Sequence, residues 1–308
     1  MKFKLLLAAL SAGIFNVNAQ WSQITSPYAG NMLTIKFVNQ DTGFIGGETA
    51  ILKTTDGGIS WTSESSGAVS SINDFSFPSP TTGYYGANNS VVGKTTDGGT
   101  TWTQQDPGTS PGGILSVSFP SESVGFAVGD SGKISKTIDG GTTWTLQSSG
   151  TTLALNEVHF FDENEGLACG SSGRIKGTTN GGSSWWTKNS GAMFNLYDMY
   201  FVDANTGFVS GAAGTMFKTT DGGNSWSELT SGSQEWLYTI CFKNAMEGCV
   251  GGANGTILRT NDGGATWQAE GSSLTTQDIN DIVYINNGYI AVASGGKIIT
   301  DIASLGVA

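Results

Sequence analysis

One frame of eight residues dominates this chain. It reads Thr54-Thr-Asp56-Gly-Gly-Ile-Ser60-Trp61 and returns from Thr95 to Trp102, Thr137 to Trp144, Thr178 to Trp185, Thr219 to Trp226 and Thr260 to Trp267. Its six tryptophans fall 41, 42, 41, 41 and 41 residues apart, so insertions between units are nearly absent. A fixed period of this length marks one supersecondary unit stacked many times. Within each period, short β-rich runs alternate with Asn, Asp, Gly and Ser turns, as at residues 196–203, 206–211, 215–220 and 225–229. Four short antiparallel strands per period make a propeller blade. The Asp-Gly-Gly step predicts a tight hairpin between the third and fourth strands, because glycine accepts positive φ and the carboxylate can accept backbone N–H bonds from its own turn. Each tryptophan is expected to cover its hairpin.

Six frames leave a seventh blade to find. Trp21 lies 40 residues before Trp61, in a run that resembles the fourth strand of the other units, and residues 281–284, 288–292 and 297–300 supply three strands with no hairpin frame after them. The two chain ends therefore complete one blade, and the N-terminal strand closes the ring, removing the exposed sheet edge. The fold class is all-β: a seven-bladed propeller of four-stranded antiparallel blades. Forty-six glycines against six prolines suit a chain of tight turns, and no helical periodicity follows the N-terminus.

Lys2 and Lys4, an apolar stretch from Leu5 to Ile14 and a small residue at Ala19 form a secretory signal over residues 1–19. The expectation is a secreted, periplasmic or cell-surface protein with one domain over residues 20–308, monomeric and without a transmembrane segment. Removal of the signal leaves 12 Lys plus Arg against 25 Asp plus Glu. Nucleic-acid partners are disfavoured, since phosphate backbones need cationic side chains. Three cysteines are too few for a disulfide framework. Cys241 and Cys249 flank a turn and either pair across it or fill the core; Cys169 is expected to be free.

The Asp-box, or BNR, repeat is recognisable in these frames. The whole unit, with its Lys-Thr-Thr-Asp-Gly-Gly and downstream Ser-Gly, resembles the photosystem II stability/assembly factor family of seven-bladed propellers over residues 21–300. That resemblance implies an assembly or binding protein. Other Asp-box propellers are sialidases, xyloglucan hydrolases and sortilin-like receptors, so the motif fixes fold rather than function.

A sialidase site, as that resemblance implies it, needs three arginines, and this chain has only Arg174 and Arg259. Arg259 occupies the position held by Lys53, Lys94, Lys136 and Lys218 in other units, which reads as structural. His159 is the sole histidine and recurs with no partner; it reads as a packed side chain, and no catalytic residue, metal site or cofactor is assigned. The box residues Asp56, Asp97, Asp139, Asn180, Asp221 and Asp262 read as structural, since an amide at position 180 can keep the turn bonds but is a poorer cation ligand. Asp74, Glu157, Asp198 and Asp281 share one column of the first strand, with Thr34, Ser116 and Thr239 in the other units. They read as polar lining of a central channel, or else as a cation ring or a glycosidase acid–base pair. Trp236, Tyr197, Tyr238 and Phe194 are expected to cluster at the channel mouth between the fifth and sixth blades, beside Asp198 and Glu235, on the face opposite the hairpins. Aromatic planes with flanking polar groups suit a sugar or a protein contact. The function expected is a non-enzymatic exported binding or assembly propeller with a protein or glycan partner; the alternative is a glycoside hydrolase or lyase using channel-mouth carboxylates.

Overall fold

The structure, a computed structural model, describes residues 21–64, 70–110, 112–270 and 274–302. Residues 1–19, expected from the sequence to be a secretory signal, lie outside the described residues. Seven four-stranded antiparallel sheets form the blades, and in six of them the strands follow chain order from the axis outward. The first strands are Met32–Phe37, Ile72–Ser76, Ile114–Ser118, Leu155–Phe160, Leu196–Phe201, Leu237–Phe242 and Ile279–Ile285, defining blades 1 to 7. Blade 7 takes its fourth strand from the N-terminus: Ser22, Gln23 and Ile24 pair with Thr300, Ile299 and Ile298. The ring closes as the tryptophan period requires.

Every second strand, from Gly43–Gly47 in blade 1 to Gly288–Ala293 in blade 7, is buried along its whole length. A strand covered on both faces by neighbouring blades cannot alternate polar with apolar, so it reads as glycine, aromatic and aliphatic residues apart from the small Cys169, Ser210 and Cys249. Gly125 shows why the first position is glycine: a Cβ there would lie 2.1 Å from the Phe119 ring, which stacks on Tyr84 of the preceding blade at 3.5 Å.

The hairpins fold as their chemistry dictates. In blade 2, Asp97 Oδ1 accepts Thr101 N–H at 2.9 Å and Oδ2 accepts the Thr101 hydroxyl at 2.6 Å. Thr95 Oγ1 accepts Gly99 N–H at 2.9 Å while donating to Asp97. The same threonine bond recurs in all six frames. Asn180 keeps the pattern by reversal: its Oδ1 accepts Ser184 N–H at 3.0 Å and its Nδ2 donates to the Ser184 hydroxyl at 2.9 Å. Indole nitrogens of Trp61 and Trp267 donate to Gly58 and Gly264 across their own hairpins.

The lysine before four of the six hairpins staples one blade to the next. Nζ of Lys53, Lys94, Lys136 and Lys218 donates to the carbonyls of Gly98, Gly140, Gly181 and Gly263 at 2.7–2.9 Å. Arg259 replaces it where the ring must close. Its Nε pairs with Glu270 at 2.7 Å and its Nη2 with Asp301 at 2.5 Å, and the other Glu270 oxygen accepts Trp21 Nε1–H at 2.7 Å. One guanidinium thus ties blade 6 to both chain ends, which bears out a structural role.

Cys241 and Cys249 do face each other across paired strands, yet all three cysteines are free, buried thiols packed in the core. The cross-strand disulfide considered above is not formed.

Candidate functional site

All seven first strands carry a register shift immediately before the channel column, between Met32 and Thr34, Ile72 and Asp74, Ile114 and Ser116, Leu155 and Glu157, Leu196 and Asp198, Leu237 and Thr239, and Ile279 and Asp281. One residue per blade is left out of the ladder: Leu33, Asn73, Leu115, Asn156, Tyr197, Tyr238 and Asn280. A bulge re-aims its extra side chain. All seven bulge residues line one cavity of about 450 Å³ along the axis, together with Thr34, Lys36, Asp74, Glu157, His159, Asp198, Tyr200 and Asp281.

The column below the bulges locks neighbouring blades. Asp74 Oδ2 accepts Val117 N–H at 2.8 Å and the Ser116 hydroxyl at 2.9 Å. Ser116 accepts Val158 N–H, Asp198 accepts Ile240 N–H, Thr239 accepts Ile282 N–H and Asp281 accepts Ile35 N–H. Each bond spans one repeat, and Asp281 to Ile35 carries the pattern over the closure. These carboxylates are therefore interblade acceptors as well as channel lining.

Their electrostatics are unusual. Burial pushes Asp74 up to about 6 and Asp198 up to about 7, with nearby carboxylates adding to the rise; Glu157 and Asp281 are raised for the same leading reason. His159 stacks on Phe201 with ring centroids 5.2 Å apart and meets Phe161 edge-on, and burial pulls it down to about 4. It is a neutral, packed imidazole. Among the described residues, no three His, Cys, Asp or Glu groups are placed to hold a metal ion.

The bulge column divides chemically. Asn73, Asn156 and Asn280 donate through Nδ2 to Ile114, Leu196 and Met32 carbonyls of the following blade. Tyr197 and Tyr238 occupy the same position in blades 5 and 6 without an equivalent bond among the described residues. They pack against each other instead, centroids 5.5 Å apart, and both meet Trp236, at 6.0 and 6.3 Å. Trp236 is 51% exposed although no hairpin requires it there. Glu235 anchors the loop: its carbonyl accepts Gly214 N–H and its carboxylate accepts Asn254 Nδ2–H at 2.9 Å, both from turns between second and third strands. The box hairpins bond instead to turns between first and second strands, as Gly57 N–H does to Asp41, so the two sets occupy opposite faces.

Three of the four expected aromatics thus cluster. Phe194 is exposed but makes no ring contact with the trio among the described residues. Its place in the repeat corresponds to Glu235, with Asn195 at the Trp236 position, so it stands one residue too early to reach the mouth. The bulges themselves were not anticipated; only the recurrence of polar or aromatic residues just before the column hinted at them.

Residues 109–190, covering blades 3 and 4, match the model of the family described as photosynthesis system II assembly factor YCF48. No curated protein matches the sequence. Among solved structures, YCF48 bound to D1 peptide is similar at 20% identity, covering 91% of this chain and 96% of that one with a TM-score of 0.75. YCF48 from Cyanidioschyzon merolae gives 19% identity, 91% and 98% coverage and 0.74. A GH74 xyloglucanase from Xanthomonas campestris gives 12% identity and 0.72, with 90% of this chain covering 53% of the enzyme. At these identities the likeness is one of fold. Residues 109–190 thus match the model described as photosynthesis system II assembly factor YCF48, within a seven-bladed propeller whose fold is similar to that of solved YCF48 structures.

Proposed function

We propose that this chain is an exported, non-enzymatic binding propeller that holds a polypeptide partner on the face carrying the bulges. The observation that carries this reading is the Tyr197, Trp236 and Tyr238 trio. At a position where three other blades use asparagine to bond their neighbour, blades 5 and 6 place aromatic rings beside a half-exposed indole. Clustered Trp and Tyr side chains with one face open are the usual anchors of protein contacts. A polypeptide is favoured over a glycan by analogy with the YCF48 structure that holds a D1 peptide. Export rests on Lys2, Lys4 and the apolar stretch from Leu5 to Ile14.

The hydrolase alternative gains less support. Asp74, Asp198 and Asp281 are engaged by backbone N–H groups of the next blade, and the chain spans about half of the xyloglucanase it resembles.

The test is selection of a random dodecapeptide display library against the chain from Gln20 onward, run beside a glycan array. Peptides that bind the chain and lose at least tenfold affinity on Trp236→Ala are expected. Recovery of glycans alone, or of peptides indifferent to Trp236→Ala, contradicts the reading.

A further inference from the structure

The cavity beneath the aromatic mouth is lopsided in charge. Asp74, Glu157, Asp198 and Asp281 line it, while Lys36 is the one lining residue that carries a positive charge, since His159 is neutral. Lys36 and His159 both lie two residues beyond the column, toward the hairpin face, leaving the mouth end without a cation. The three ion pairs among the described residues, Lys243–Glu247, Arg259–Glu270 and Arg259–Asp301, all lie elsewhere. Backbone N–H groups bond the column carboxylates but do not neutralise them.

Two further features meet at the mouth. Tyr197 directly precedes Asp198 in the chain, and the bulge directs the tyrosine to the cavity while Asp198 stays in the column. Tyr238 precedes Thr239, whose hydroxyl donates to Asp281 Oδ1 at 3.0 Å. Two aromatic rings thus stand over two carboxylates, in a cavity large enough for a long side chain. The lysines that staple the blades already show the pairing at work in this fold: Nζ of Lys53, Lys94, Lys136 and Lys218 lies 5.2–5.5 Å from the ring centroids of Phe44, Tyr84, Phe126 and Phe208.

We propose that this mouth takes a basic side chain, lysine or arginine, of the bound polypeptide, its stem between Tyr197, Tyr238 and Trp236 and its charged head toward Asp198 and Asp281. The inference rests on the polypeptide reading above and adds the anchor's chemistry. An aromatic face attracts a cation through its quadrupole, and a carboxylate shielded from bulk water attracts it more strongly than an exposed one. Burial raises the Asp198 and Asp281 carboxyls, with Lys36 opposing the rise at Asp281, and a cation bound beside them favours their charged forms. The formal charge of −11 favours a basic segment over an acidic one during encounter.

Peptides recovered from the dodecapeptide library test this directly. The expected result is a shared Lys or Arg whose replacement by norleucine weakens binding at least tenfold, with that penalty shrinking below threefold on Asp198→Asn. The Asn oxygen still accepts Ile240 N–H while the bond from Met199 N–H is lost, and a thermal melt checks that the variant folds; if it does not, Asp281→Asn takes its place. Peptides that bind through Trp236 but tolerate norleucine overturn this inference and leave the polypeptide reading standing. If no peptide is recovered, both fall.

Discussion

In the hairpins, Asp97, Asp221 and Asp262 are held down to about 2 by the hydroxyl and backbone N–H of the residue four positions on. In the channel, Asp74 and Asp198 are pushed up to about 6 and 7 by burial. The difference is one of where each carboxylate finds its partners. A hairpin aspartate is satisfied inside its own turn, so the solution is copied through six frames, with Asn180 as the single exception. A channel carboxylate bonds a blade 42 or 43 residues away in sequence, or across the closure. Its side chain lines a cavity, and there the repeat varies between Asp, Glu, Ser and Thr. The hairpins repeat one self-contained solution, whereas the bulge face combines interblade bonds from Asn73, Asn156 and Asn280 with the aromatic departure of blades 5 and 6.

The sharpest way to break that contrast is to remove what both faces depend on, the closed ring. Trp21→Ala empties a buried site and strips Glu270 of its indole partner. Urea unfolding should show a loss of about 3–5 kcal/mol, as for large core truncations. A loss under about 1 kcal/mol would mean the closure contributes little.

Next in size is the hairpin threonine. Thr95→Val keeps shape but leaves Gly99 N–H buried without its acceptor, a loss of about 1–3 kcal/mol. Because the bond recurs, the equivalent change at Thr54, Thr137, Thr178, Thr219 or Thr260 should fall within the same range; a wide spread in unfolding midpoints would show that the frames are not equivalent.

A pH titration of stability separates the two sets of acids. A channel carboxyl raised in the folded state stabilises fully below its unfolded value, and that contribution is lost as pH rises through about 6 to 7. The lowered hairpin aspartates do the reverse, stabilising above about 4 and losing their contribution as pH falls through about 2. Stability should therefore peak near pH 4 to 5 and decline toward pH 8, by on the order of 1 kcal/mol per channel carboxyl given its contact with channel water. Asp198→Asn should flatten the upper limb; a midpoint that rises steadily from pH 4 to 8 would contradict the assignment.

The sequence revealed most of what is local. Thr-x-Asp-Gly-Gly bonds lie within five residues, so composition and spacing implied them, and the 40-residue offset of Trp21 implied closure. What it concealed depends on relations between blades. The bulge at Tyr197 and Tyr238 is a property of register against the second strand, and the lock from Asp74 to Val117 needs two blades in contact. Phe194 shares the blade-to-blade connection that suggests a place beside the trio, but it stands at the Glu235 position of the repeat, one residue before the Trp236 position. Arg259 was recognised as structural, but its bonds to Glu270 and Asp301 join segments that only the closed ring brings together.

The most direct test of the central claim, that one face stabilises and the other binds, pairs two variants with two readouts. Trp236→Ala and Thr95→Val are each measured for unfolding free energy and for affinity toward a peptide from the dodecapeptide selection. The account predicts that Trp236→Ala changes stability by less than about 0.5 kcal/mol, as for an exposed side chain, yet weakens binding at least tenfold, while Thr95→Val destabilises and leaves binding of the folded protein unchanged. If Trp236→Ala destabilises as much as Thr95→Val does, or binds the peptide as well as the parent chain, the division between the faces is wrong.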